Sequence, residues 1–222
     1  MADPHRILVS AFEPFGGAAQ NPSQNVVQEL IRRAERNQLI AQKEHRGVVL
    51  IPVLLPVEFT TAAQILAHAA SEHSPRLVIS VGLAAGTDTI RLERVGLNLR
   101  DARIPDNAGA QPADQPIVDS GKPALFSTLR LKSAFKRITE ANIPSTLSLS
   151  AGSYVCNDVL YSILHHLRDQ GPEIRAGFVH VPDLHAPDST LTVGQAATAL
   201  DLLISESLIF EPDAHTPLGN LH

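Results

Sequence analysis

Short apolar runs of strand length alternate along this chain with segments whose apolar residues recur at helical spacing, an order that few architectures accept. Residues 6–12 read as a buried strand. Asn21-Pro22 then offers a helix cap followed by a proline at the first helical position, and Val26, Val27, Leu30, Ile31 and Ala34 continue the stripe. Residues 48–55 form a second strand pattern, 60–70 a second helix and 77–81 a third strand, while 89–99 are extended and hold one or two strands. Beyond them the pattern predicts a helix over 125–141, a strand over 145–150, a helix over 157–168, a strand over 176–181 and a last helix over 189–208. Such alternation specifies an α/β fold, a three-layer α/β/α sandwich with a mostly parallel twisted sheet and right-handed crossovers. Ligands gather beyond the carboxyl ends of strands in these folds, and residues 12–17, 82–86, 152–156 and 180–183 all fall at predicted strand exits.

At 222 residues the chain suits one domain over 1–222, with residues 211–222, rich in Pro, Asp, His and Gly, expected as a loose tail. Residues 100–123 carry Pro, Gly, Asp and Asn without a period, and an internal loop of that length usually binds something or moves. A formal charge of −5, from 18 Lys+Arg against 23 Asp+Glu, offers no general attraction to a phosphate backbone, so nucleic acid is not an expected partner. One cysteine closes no intramolecular disulfide, and residues 1–6 lead into the first strand without a signal-type apolar region, so a reducing cytoplasm is expected. The longest apolar stretch, 48–57, is too short and too proline-broken to cross a bilayer.

That cysteine, Cys156, follows Gly152 and opens a helical pattern. A thiol at a helix N-terminus is placed where peptide N–H groups and the dipole favour the thiolate; the plain alternative is an inert core side chain. Of ten histidines, His180 and His185 stand where a base is needed, and His180, near the end of a strand, is the better placed. Glu93, between Arg91 and Arg94 in an extended segment, is the best candidate for a carboxylate that orients the imidazole, ahead of Asp101 and Asp106; alternatively it pairs with one of its arginines. His180, Asp183, His185 and Asp188 match no metal-ligand spacing, and the glycines at 16, 17, 82 and 86 complete no nucleotide-binding pattern, so no metal or cofactor is expected.

Five segments in order, Phe12-Glu13-Pro14-Phe15-Gly16-Gly17 with Asn21-Pro22-Ser23, Glu93-Arg94-Val95, residues 101–107, Val155-Cys156-Asn157 and residues 177–182, resemble pyroglutamyl-peptidase I, the pyrrolidone-carboxylate peptidases. The resemblance implies a cysteine peptidase on a phosphorylase/hydrolase-like α/β/α fold that removes an N-terminal pyroglutamyl residue from peptides and self-associates as a dimer or tetramer. It implies Cys156 as nucleophile, His180 as base and acid, Glu93 as the third member, and Arg103 beside the oxyanion. Phe12 and Phe15 would wall the ring pocket, Asn21 support its loop, and Leu83, Tyr154 and Val155 line it. The chain departs from the familiar pattern at Leu83, where Gln is usual, and at Ala85, Arg100 and Tyr154; this leaves a non-catalytic or altered-specificity lactam binder as the alternative.

Overall fold

The computed structural model describes residues 4–171 and 174–219. In chain order the elements are β1 (His5–Phe12), α1 (Pro22–Glu35), α2 (Ile40–Glu44), β2 (Val48–Leu55), α3 (Thr61–His73), β3 (Leu77–Leu83) and β4 (Ile90–Glu93). There follow β5 (Val95–Leu97), β6 (Ala124–Phe126), α4 (Leu131–Glu140), β7 (Ser145–Ser148), α5 (Val155–Leu167), β8 (Arg175–Val181) and α6 (Val193–Ser207). Six strands form one sheet in the order β2-β1-β3-β8-β4-β7, and β5 pairs with β6 in a separate ribbon. β2, β1, β3 and β8 run parallel, whereas β4 meets β8 antiparallel and carries β7 with it. The sheet is therefore mixed but mostly parallel, with helices on both sides, as the alternation predicts.

Registers decide which residues share a face, because side chains alternate along each strand. Leu8, Ser10 and Phe12 of β1 stand beside Val78, Ser80 and Gly82 of β3, then Ala176, Phe178 and His180 of β8, then Arg91 and Glu93 of β4. The apolar members of this face pack against α3 and α5. The opposite face presents Ile7, Val9, Ile79, Val81, Val179, Val181, Ile90 and Leu92 to the second core, which α1, α4 and α6 close.

Differences from the sequence pattern are local. Leu125 pairs with Gly96 in the β5–β6 ribbon, so the helix expected over 125–141 begins only at Leu131. The last helix begins at Val193, where Thr192 and Gln195 form a capping box, rather than at 189. α2 carries no amphipathic signal; its N–H groups at Ile40 and Ala41 are capped by Asp201 of α6, at 2.7 and 2.9 Å. Residues 211–219, expected to be loose, lie against α4: Asp213 accepts from the backbone of Lys132 and Ser133, and Leu218 packs on the core. The remainder of that tail, 220–222, lies outside the described residues.

Candidate active site

β8 delivers His180 one residue before its carboxyl end, buried, opposite Arg91 of β4 and beside Gly82 of β3. Two residues further along β4, on the same face, Glu93 is fully buried and its Oε1 lies 2.9 Å from His180 Nδ1. The other oxygen, Oε2, is buried without a hydrogen-bond partner. Arg91 also reaches Oε1, Nε at 3.3 Å, so Glu93 pairs with both the histidine and one of its flanking arginines.

Cys156 reaches the same spot from the other direction. β7 runs opposite to β8, so its exit does not point to the carboxyl end of the parallel strands, and residues 149–154 turn the chain back toward it. Gly152, at φ +80°, makes that reversal in a conformation that side chains disfavour. Close approach of the thiol to the sheet depends on Gly82, where an added Cβ would lie 3.0 Å from Cys156 Sγ and 2.8 Å from Phe178 Cζ. Cys156 is half-buried and lines a cavity together with His180, Arg91 and Thr87. α5 starts without a side-chain cap, in contrast to Asn21 on α1 and Thr192 on α6. Its first N–H groups therefore remain available to an incoming acceptor.

Burial disfavours the imidazolium of His180, but the charge and hydrogen bond of Cys156, then the hydrogen bond and charge of Glu93, outweigh it and hold the group at about 9. At neutral pH the histidine is therefore a proton donor. Tyr154 is pushed up to about 12 by burial and by the neighbouring charges of Asp106 and Cys156, and its phenol donates to the carbonyl of Pro105 at 2.9 Å.

On the other side of Cys156 lies an apolar cavity of about 190 Å³. Phe12, Phe15, Asn21, Leu83, Tyr154 and Val155 all line it. Tyr154 is wedged between Phe15, at 5.5 Å between ring centroids, and Phe59, edge-on at 5.2 Å. Asn21 fixes the loop beneath: Oδ1 accepts from Ser23 N and Oγ, and Nδ2 donates to the carbonyl of Glu13. The 100–123 loop turns Ala102 inward and Arg103 outward, where its side chain is exposed and lines neither cavity beside Cys156.

Three residues support the site in roles that the sequence did not assign, Asp106 among them, which the sequence offers only as a lesser partner for the imidazole. Asn157, next to the cysteine, accepts from Leu97 N and donates to the carbonyls of Leu97 and Leu99. Asp158 binds Arg100 at 2.7 Å and Thr60 N at 2.9 Å. Asp106 accepts from the backbone of Phe59, Ala108 and Ala110. Together they tie the start of the long loop and the segment before it to α5 and to the turn leading into α3. Buried polar residues in the first turn of α5 were the available signal, since such groups need partners.

A thiol, a proton-donating imidazole and a buried carboxylate over the carboxyl edge of an α/β/α sandwich define a cysteine-type hydrolase. Comparison with known proteins narrows this class: the pyroglutamyl peptidase family model matches residues 5–199, and the chain belongs to that family. It is 40% identical over 223 residues to the pyrrolidone-carboxylate peptidase of Yersinia pestis (strain Pestoides F), covering 98% of this chain and 99% of the relative. The solved pyrrolidone carboxyl peptidase of Thermococcus litoralis superposes with a TM-score of 0.85 at 31% identity, over 96% of this chain and all of that one. Pyroglutamyl peptidase I of Bacillus amyloliquefaciens gives 0.83 at 30% identity, with 96% and 100% covered. Among the described residues no helix is long and apolar enough to cross a membrane.

Proposed function

We propose that this chain hydrolyses the bond after an N-terminal pyroglutamyl residue, using Cys156 as nucleophile, His180 as acid and base, and Glu93 to orient the imidazole. One observation carries the reading: the apolar cavity ends at the same thiol that the His180–Glu93 pair acts on. A lactam ring is flat, uncharged and partly apolar, and suits walls of Phe12, Phe15 and Tyr154. The Asn21 amide and the Tyr154 hydroxyl are already committed to the protein, so the polar edge of the ring falls to backbone groups and Gln20.

The thiolate adds to the scissile carbonyl, and the developing oxyanion is taken up by the uncapped N–H groups at the start of α5. His180 passes its proton to the departing amine as the C–N bond breaks, leaving a thioester on Cys156. Water then attacks the thioester, gives a proton to His180, and expels the thiolate with release of pyroglutamate. Each step is balanced by these side chains and water. A reducing compartment such as the cytoplasm fits an enzyme whose one thiol must stay free.

A pyroglutamyl-arylamide assay of wild type beside Cys156→Ser tests this directly. Wild type is expected to release arylamine and the serine variant to lose turnover by about three orders of magnitude or more. Full turnover by Cys156→Ser would overturn the assignment.

A further inference from the structure

We propose that Arg91 is a positioning residue of this cluster, one that clamps the Glu93 carboxylate to the turn delivering Cys156 and remains its cationic partner while His180 is neutral. The inference rests on the reaction proposed above. It is carried by a set of contacts that the triad alone does not explain. Arg91 Nε donates to Glu93 Oε1 at 3.3 Å, while Nη2 donates to Ser148 Oγ at 2.7 Å and to the carbonyl of Ser150 at 3.3 Å. Ser148 Oγ donates in turn to that carbonyl at 3.1 Å, and Ser150 Oγ receives the N–H of Gly152 at 3.1 Å. One planar guanidinium thus bridges the strand that holds the carboxylate and the turn that leads into α5.

Both donors on Glu93 act on the same oxygen, and the second oxygen is buried without a partner. Without Arg91, His180 alone would hold the carboxylate, and the carboxylate is what holds His180. Charge gives a second reason. Thiolate, imidazolium and carboxylate sum to −1 in a place where Glu93 has no exposure, and Arg91, 31% exposed at its side chain, brings the sum to zero.

The balance matters most midway through the cycle. Once His180 has given its proton to the amine and Cys156 is acylated, Glu93 has lost its imidazolium partner. Arginine does not deprotonate in this range, so Arg91 remains as the cation in contact with Glu93. The carboxylate then still has a cationic partner when His180 must take a proton from water. Around His180 the ionisable groups are Cys156 on α5, Tyr154 just before it, and Glu93 and Arg91 on β4.

The test is steady-state and rapid-mixing kinetics of Arg91→Met and Arg91→Lys on a pyroglutamyl-arylamide, with thermal melts to establish folding. In Arg91→Met kcat is expected to fall about tenfold and kcat/KM by less, with arylamine released in a burst of about one equivalent per site because deacylation is slowed. Loss of a cation near the imidazolium also raises the alkaline limb of kcat/KM. A merely structural role would lower kcat and kcat/KM together, with no burst and an unmoved limb, and that result overturns the proposal. Arg91→Lys keeps the charge without the fork and is expected to show no burst, with kcat about threefold low. It keeps the test standing should the methionine variant not fold, and a lysine variant equal to wild type in kcat overturns the clamp. An inactive wild type would overturn the reaction and this inference together; an active wild type with an unaltered Arg91→Met overturns this inference alone.

Discussion

The two faces of the central sheet are made from the same strands and have opposite characters. On the side covered by α1, α4 and α6, Ile7, Val9, Ile79, Val81, Val179 and Leu92 are all apolar and nearly or wholly buried. On the side covered by α3 and α5 the residues begin apolar, at Leu8, Val78 and Ala176, and become polar toward the carboxyl ends of the parallel strands. Ser10 donates to Ser80 at 2.8 Å in the middle of that face, in the row that Phe178 and Glu93 continue, and Gly82, His180 and Arg91 follow above them. One face holds the sheet together; the other keeps Phe12 and Phe178 buried but gives up the rest of its apolar burial toward that end to assemble chemistry. Even the carboxylates obey the division. Asp201, on α6 beside the core that α1, α4 and α6 close, places both oxygens on backbone N–H groups, whereas Glu93 crowds two donors onto one oxygen and leaves the other empty. A buried carboxylate oxygen left without a partner calls for an explanation, and the cleft beside Glu93 supplies one.

Substitutions that respect this division sharpen it, and the largest effect belongs to Glu93→Gln. The change is nearly isosteric but removes the charge that orients and favours the imidazolium, so turnover on a pyroglutamyl-arylamide is expected to fall about a thousandfold or more. The pH dependence has a definite sign. His180 is raised from 6.5 to about 9, so its stabilising contribution is complete below the lower value and lost as pH rises through the upper one. Wild type should therefore lose both activity and some stability above about pH 9, and Glu93→Gln should bring the alkaline limb down. An alkaline limb that stays in place in the variant would show that Glu93 does not act on His180. Leu92→Ala, one residue earlier and pointing to the other face, is expected to cost about 2–5 kcal/mol of stability in denaturant melts while kcat per folded molecule stays unchanged. A kcat loss there would break the separation of the two faces.

Legibility followed the same physical boundary between local and distant contacts. α1 could be read from Asn21-Pro22 and its apolar stripe, because cap, proline and period all lie within one short segment. The reading over 125–141 failed at its start, because Leu125 answers to Gly96, some thirty residues away, and not to its own helix period. α2 and the docked tail were missed because their decisive partners, Asp201 and Asp213, are remote in sequence from the N–H groups they cap. At the site, Cys156, His180 and Glu93 were legible as residue types at element ends, and the structure brings them together. Arg103 rests on the motif alone: it is exposed beside the buried Ala102 and lines neither cavity next to Cys156. Arg91 reads in the sequence as one of two arginines available to pair with Glu93, and that pairing is found, but nothing local reveals that β4 pairs with β8 in the register that sets Arg91 opposite His180.

A smaller change probes the seam between the faces. Gly82→Ala puts a methyl group 2.8 Å from Phe178 Cζ and 3.0 Å from Cys156 Sγ, on the chemical side of a strand whose other side carries Leu77, Ile79 and Val81 into the core. The side chains must shift, and about a tenfold loss of kcat/KM is expected together with a modest loss of stability. Wild-type kinetics in this variant would mean that the thiol tolerates displacement, and that the close packing of α5 on β3 serves stability only.

The smallest effect tests the supporting side at its periphery. Asp213 accepts from Lys132 N at 2.8 Å and from Ser133 N and Oγ at 2.9 Å, capping the first turn of α4 from the far end of the chain. Burial works against its charge, but the hydrogen bonds outweigh it and hold the carboxyl below its ordinary value. Removing the cap in Asp213→Ala should cost about 1 kcal/mol, a Tm decrease of roughly 2–4 °C in a protein of this size, with kcat and KM unchanged. Because the folded-state value is depressed, the stabilisation is present above the ordinary aspartate range and lost as pH falls through the folded value. The difference in Tm between wild type and variant should therefore shrink on acidification. A difference independent of pH would assign the effect to packing of the 211–219 segment, and a change in kcat would mean that the core behind α4 reaches the cleft after all.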